Sequence, residues 1–339
     1  MLRNRTILVT GVGGYIGSIL SYSLLKKGYN IIGIDNFEKG FHEPLNLLQS
    51  RFGKQRLIYE NVDLNGSLDK IFRANPNIET VIHVAGSMDI SESVKNPEKY
   101  FQNNSYGTYN LIKRMIEFNV RNIIFSSTCT IYGETGKKPI EETHSTLPIN
   151  PYGGSKLIAE KILEFYGNFR GINYVILRYF NVCGASEDAL LGDSQKPSKL
   201  LVHNAVKGAL GIHKFVLDCQ KVNTTDGTPI RDYIDIIDIV NAHYLTLKFL
   251  EDGGKNQVFN LGAGKGYSVL QIVEAVRKIT SSVFQINKAK KPREGECSIA
   301  IASIKKAEKI LGWTPKKTLE DSIISTIKWY TKRPLGWKF

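Results

Sequence analysis

The sequence predicts an α/β fold: a doubly wound parallel sheet with a smaller C-terminal α/β lobe. Short apolar runs alternate with helix-like stretches through the first half of the chain. The runs are apolar enough to be covered on both faces, as strands of a parallel sheet are. A glycine-rich turn, Thr10-Gly11-Val12-Gly13-Gly14-Tyr15-Ile16-Gly17, joins the first run to the first helix-like stretch.

In order, residues 6–10 form a buried strand and 15–27 a helix that Gly28 stops. A strand at 30–35, a strand at 57–62, a helix at 68–73 and a strand at 80–84 follow. Residues 100–118 read as one long helix and 122–127 as a strand; 152–169 is a further helix and 174–178 a further strand. Beyond about residue 181 the pattern loosens, with Gly, Ser and Asp clustered at 184–194. Residues 234–250 again read as strand and helix, so the chain is expected to return to the first unit there. Stretches 268–279 and 304–311 are helix-like, and 319–330 is the closing helix. The expected division is 1–180, with a return segment at about 233–252, and a lobe made mainly of 181–339.

Composition narrows the function. The 339 residues allow one large domain or two ordinary ones, and 42% hydrophobic with 23% charged residues excludes a disordered or collagen-like chain. No apolar run reaches the ~18 residues that span a bilayer. Arg3 and Arg5 ahead of apolar residues mimic the start of a secretory signal, but Gly11, Gly14 and Gly17 interrupt the would-be core, so the segment reads as folded protein. The net charge of +13 admits nucleic acid, an anionic membrane or anionic small molecules as partners. Basic residues are dispersed, however, and the densest stretch, 288–293, is short; neither a nucleic-acid nor a membrane partner is expected. Cys129, Cys183, Cys219 and Cys297 include no close pair, and the six histidines show no metal-ligand spacing. Reduced thiols, a cytoplasmic location and no metal are the expectation.

The glycine turn carries the first chemistry. Gly11, Gly14 and Gly17 supply a tight turn, close backbone approach and close helix packing. The helix N-terminus then offers N–H groups to a pyrophosphate. Asp35, at the end of the second strand, accepts hydrogen bonds from ribose hydroxyls and repels a 2′-phosphate, which favours NAD over NADP. Asp63, ending the third strand, is compatible with a contact to the adenine amino group. Further on, Tyr152 and Lys156 stand four apart at a helix start and share a face. A tyrosine with an ordinary pKa near 10 is a poor base at neutral pH, and a nearby ammonium stabilises its phenolate. Lys156 also suits a nicotinamide ribose, and Ser126-Ser127-Thr128 offers a strand-end hydroxyl beside Tyr152.

Further motifs accompany these: TGVGGYIGS (10–18), Asp35-Asn36, VIHVAG (81–86), SESV (91–94), NNSYGT (103–108) and FSSTCTIYG (125–133). PYGGSK (151–156), LRYFNVCGA (177–185), DGTPIRDYI (226–234), FNLGAGKGYSV (259–269) and PREGE (292–296) complete the set. Over almost its whole length the chain resembles the extended short-chain dehydrogenase/reductase family, and within it the nucleotide-sugar 4-epimerases. The resemblance implies a Rossmann-type fold and reversible oxidation at sugar C4 with NAD bound throughout turnover. UDP-glucose and UDP-galactose are the default pair, with N-acetylated forms also in view. By matching positions, Tyr152 is the base, Lys156 tunes it and Thr128 holds the 4-oxygen. Gly11, Gly14, Tyr15, Ile16, Gly17, Asp35, Asn36, Asp63, Leu64, Val84, Ala85, Gly86, Asn103, Ser126, Tyr152, Lys156 and Tyr179 would surround the cofactor. Thr128, Tyr152, Asn181, Lys199, Leu200, Arg231, Arg293 and Glu296 would meet the substrate, with Arg293 a bidentate diphosphate clamp.

The chain departs from that pattern in places. Met88 replaces a usual Lys, Lys199-Leu200 an Asn-Leu, Glu296 an Asp, and Ala300 a bulkier residue. A 4,6-dehydratase of the same family would need an acidic pair where this chain has Cys129 and Thr130. A nucleotide-sugar C4 dehydrogenase or 4-ketoreductase would share Tyr152 and Lys156 but exchange its cofactor. A non-catalytic NAD-sensing protein would not need the intact Thr128–Tyr152–Lys156 set. Trp313, Trp329 and Trp337 read as packing anchors. A homodimer is expected through the helices at 100–118 and 152–169, forming a four-helix contact.

Overall fold

The computed structural model describes residues 5–136, 138–289, 295 and 297–337. The first half runs β1 (Thr6–Thr10), α1 (Tyr15–Lys26), β2 (Asn30–Asp35), α2 (Glu43–Phe52), β3 (Leu57–Asn61), α3 (Asp69–Ala74), β4 (Ile78–His83), α4 (Ile90–Lys95) and α5 (Pro97–Tyr100). A π-helical turn, Phe101–Tyr106, leads into α6 (Gly107–Glu117), followed by β5 (Asn122–Thr128), α7 (Pro151–Arg170) and β6 (Asn173–Tyr179). The second half holds β7 (Asn181–Cys183), α8 (Leu201–Ala209), β8 (Phe215–Leu217), β9 (Ile230–Asp235), α9 (Ile236–Glu251) and β10 (Gln257–Leu261). It ends with β11 (Gly266–Ser268), α10 (Val269–Thr280), β12 (Ile286–Lys288), β13 (Ile299–Ala300), α11 (Lys305–Leu311) and α12 (Leu319–Lys332).

Seven parallel strands form the main sheet in the order β10-β6-β5-β4-β1-β2-β3. Both faces are apolar because successive strand residues point to opposite sides. Leu8, Val81, Ile123 and Ile176 pack with Leu111, Met115 and Leu163 of α6 and α7. Ile7, Val9, Ile82 and Val175 pack on the other side with Leu20 of α1 and Ile239 and Leu247 of α9. This two-sided burial is why the strands read as continuous apolar runs. Among the described residues no helix is long and apolar enough to cross a membrane.

α2, α4, α5 and β10 of this unit went unread in the sequence. α2 buries little beyond Pro44, Leu45 and Leu48, so its apolar stripe is thin. β10 is five residues long and is defined by pairing with β6, from Gln257↔Val175 to Leu261↔Tyr179. The helix expected at 100–118 is also interrupted. Asn104, inside the π-turn, accepts a hydrogen bond from Ser87 N (2.8 Å) and donates to Ser87 O (3.0 Å) and Ser155 Oγ (2.9 Å). These polar anchors hold a wider turn at that point.

The second sheet centres on β9, parallel to β7 and β13 and antiparallel to β11. Asp232 of β9 accepts hydrogen bonds from Ala263 N (2.6 Å), Gly264 N (2.9 Å) and Ala302 N (3.1 Å), tying three segments together. β8 and β12 pair separately. Trp313, Trp329 and Trp337 are buried, and the first two donate their indole N–H to Asp238 O (3.0 Å) and Asp193 O (2.9 Å).

Candidate active site

Strand order reverses between β1 and β4, and a cleft of about 480 Å³ opens beyond the C-terminal ends of the strands. One end is built by the glycine turn. Gly11 has φ +70°, and a Cβ there would lie 2.7 Å from Ala85 N; a Cβ on Gly17 would lie 2.1 Å from Gly11 O. The N-cap of α1 is Gly14, which has no side chain to cap the helix, so its first-turn N–H groups are offered to the cleft. The Asp35 carboxylate accepts hydrogen bonds from Gly13 N and Phe37 N, both at 2.9 Å. Burial raises its pKa, against the lowering effect of those two bonds. Asn36 Nδ2 donates to Asp63 Oδ2 at 2.9 Å, and Asn103 Nδ2 to Ser87 Oγ at 3.1 Å. Tyr15, Ile16, Leu64, Val84, Ala85 and Gly86 complete this wall. A bare helix N-terminus beside a strand-end carboxylate, floored by backbone that tolerates no Cβ, fits a dinucleotide.

The other end holds the reacting groups. Asn150 caps α7 by accepting a hydrogen bond from Gly153 N (2.9 Å), with Pro151 in the first turn. This start places Tyr152 and Lys156 toward the cleft. Lys156 is buried; its Nζ donates to Ser126 O at 2.8 Å and lies 4.6 Å from the Phe125 ring centroid. Thr128, whose Oγ1 donates to Thr130 Oγ1 at 2.9 Å, favours the ionised form of the Tyr152 hydroxyl.

Burial pushes the Tyr152 phenol up to about 12, with Thr128 opposing. Burial in turn brings Lys156 down to about 8, with Glu160 opposing. Lys156 directs its ammonium to the Ser126 carbonyl, and desolvation dominates at both residues.

The strand-end hydroxyls also separate. Ser126 Oγ meets the Tyr179 hydroxyl at 2.7 Å, which meets His243 Nε2 at 2.6 Å. Ser127 Oγ donates to Glu160, which forms a buried ion pair with Arg178 (Nη2–Oε2 2.7 Å, Nε–Oε1 3.1 Å). Thr128 is left as the hydroxyl at Tyr152. The sequence reading missed Glu160 and Arg178; a carboxylate four residues after Lys156 was their one local signal.

Asn181, Lys199, Leu200 and Arg231 line the opposite wall with Ala300, and Met88 stands on the near side. Arg231 donates to Cys297 O at 2.6 Å and Ile230 O at 3.0 Å. Arg293 and Glu296 lie outside the described residues. Every other residue expected at the site lines this one cleft. Asp89, also on the wall, went unread. Its signal is Asp-x-x-Glu before a helix: its side chain caps α4, accepting from Glu92 N at 3.2 Å.

Fold and cleft together define a dinucleotide-dependent enzyme acting at a hydroxyl-bearing carbon. The chain belongs to the NAD dependent epimerase/dehydratase family, whose sequence pattern matches residues 7–262. It is 39% identical over 333 residues to the UDP-glucose 4-epimerase of Halalkalibacterium halodurans, covering 98% of this chain and 97% of that one. The UDP-glucose 4-epimerase from Bifidobacterium longum, solved in complex with NAD+ and UDP, superposes with a TM-score of 0.92 at 35% identity, covering 98% and 100% of the two chains. The UDP-Glc/GlcNAc 4-epimerase from Campylobacter jejuni superposes at 0.81 and 34% identity, covering 97% and 100%. NAD is the cofactor, and the glycine turn, Asp35 and Lys156 line the same cleft.

Proposed function

We propose that this protein interconverts UDP-glucose and UDP-galactose by reversible oxidation at C4, retaining NAD through the cycle. The observation that carries the reading is the Thr128–Tyr152–Lys156 set in the same cleft as the dinucleotide turn. Tyr152 removes the proton of the sugar 4-hydroxyl and later returns it to the 4-oxygen. Thr128 holds that oxygen through its hydroxyl. Lys156, anchored on Ser126 O, places a positive charge beneath the site. When bound, NAD supplies the hydride acceptor and donor for C4, and its oxidised ring favours the phenolate. The 4-hydroxyl proton taken by Tyr152 balances the hydride lost from C4, leaving a neutral 4-keto sugar that would turn over in the cleft and be reduced on its opposite face.

Residues 1–180, with a return segment at about 233–252, serve mainly the cofactor in this reading, and 181–339 mainly the nucleotide sugar. Cys129 and Thr130 on the wall supply no acidic pair for 4,6-dehydration. Cys129, Cys183, Cys219 and Cys297 are thiols and not disulfides, which suits a cytoplasmic enzyme. Exposed Phe101, Tyr106, Ile158, Phe165 and Phe169, on the π-turn and α7, support a homodimer through these segments.

The test is proton NMR of the purified protein with UDP-galactose and no added NAD. The expected result is the C4 epimer at equilibrium. No conversion by protein that retains NAD would overturn this reading. A specific observation extends the sugar range: Ala300, in register with Arg231, puts only a methyl on the cleft wall. Space there suits an N-acetyl group at C2, and turnover of UDP-GlcNAc in the same assay is the check.

A further inference from the structure

Most cations on the cleft wall are held by groups close at hand. Lys156 sits on Ser126 O, Lys99 lies between Glu38 (2.6 Å) and Glu92 (3.1 Å), and Arg231 donates to neighbouring carbonyls. Lys199 differs. It precedes α8 in the second lobe, and its Nζ reaches across the cleft to Asp89 Oδ2 at 2.8 Å. Asp89 follows β4 in the first lobe, and its other oxygen caps α4. The Lys199 side chain is 38% exposed and that of Asp89 is 19% exposed. A half-exposed ion pair of this kind adds little to stability. An ammonium on a four-carbon stem changes partner easily.

We propose that Asp89 and Lys199 form a latch between the lobes, and that the substrate's diphosphate opens it by taking the Lys199 ammonium from Asp89. The proposal rests on the cleft being a nucleoside-diphosphate-sugar site. A diphosphate carries more charge and more acceptor oxygens than one carboxylate, so the exchange favours bound substrate. Asp89 is then a competitor that lowers affinity and speeds release.

Opposite signs test this. UDP is titrated calorimetrically into NAD-retaining wild type, Asp89→Asn, Lys199→Gln and the double variant. Asn keeps an oxygen for the Glu92 N–H, so α4 stays capped. Asp89→Asn is expected to tighten UDP binding several-fold. Lys199→Gln is expected to weaken it about tenfold, as loss of one charge-assisted bond does. The double variant should match Lys199→Gln, with bound NAD equal in all four. If both single variants weaken UDP alike, the pair is a structural brace and the proposal fails. It fails too if neither changes the affinity, or if Lys199→Gln lowers NAD content and leaves UDP binding intact. Wild type that binds no UDP would overturn the substrate reading and the latch with it.

Discussion

At Tyr152 two opposing forces act on one proton. Burial holds the phenol near 12, while Thr128 favours the ionised form. The anion must therefore be produced by the assembled site, because the side chain does not supply it at neutral pH unaided. Tyr152→Phe removes the proton acceptor and leaves the ring. Its turnover is expected to fall roughly 10³-fold, within the range for lost acid–base catalysis. Bound NAD should be unchanged, since Lys156, Asp35 and the glycine turn remain; NMR rates and absorbance of the released cofactor check both.

Among the elements, the junction of β9 and α9 carries a measurable cost. Asp235 caps α9 through Ile237 N (2.8 Å) and accepts a hydrogen bond from Ser322 Oγ (2.6 Å). It is 3% exposed, and burial raises its pKa to about 6 against those two bonds. A carboxyl whose folded pKa is raised is favoured while protonated. Its contribution is fully present below about pH 4 and is lost as pH rises through about 6. Asp235→Asn keeps an acceptor for the cap, and Ser322 Oγ can turn its proton to Thr318 O, which lies at 3.2 Å. The variant is expected to gain about 1–2 kcal/mol at pH 7.5, with a smaller gain at pH 5, read by urea unfolding at both values. An equal gain at both would mean that the charge is not its source.

The same scale shows which elements could be read in advance. β1, β2 and α1 follow from local apolar runs and a glycine turn. α2 shows too thin a stripe, and β10 is a strand because β6 lies beside it. The π-turn at Phe101–Tyr106 depends on Ser87 and Ser155, which come from other elements.

In the whole molecule, two units share one cleft, and an apolar face remains uncovered. Phe165 is 62% exposed and Phe169 75% exposed on α7. Large exposed aromatics grouped on one helix mark an association surface. Sedimentation at micromolar concentration is expected to show a dimer, and Phe165→Asp a monomer. A monomeric wild type would count against the dimer. α7 also carries Tyr152 and Lys156 at its start, so burying its outer face would add support behind the reacting groups.

Sequence alone was enough for the chemistry written in short spacings: Gly11, Gly14 and Gly17 before a helix, Asp35 at a strand end, and Tyr152 four residues before Lys156. Helix and strand periods act over a few residues, so those relations survive without knowledge of the fold. The partners had to wait for three dimensions. What Lys156 donates to, how Glu160 holds Arg178, and that Asp89 faces Lys199 all depend on elements remote in the chain. Burial also sets the net shift at Tyr152. Desolvation and long-range hydrogen bonds come into being only when the sheet closes over them, and local residue order carries no measure of either.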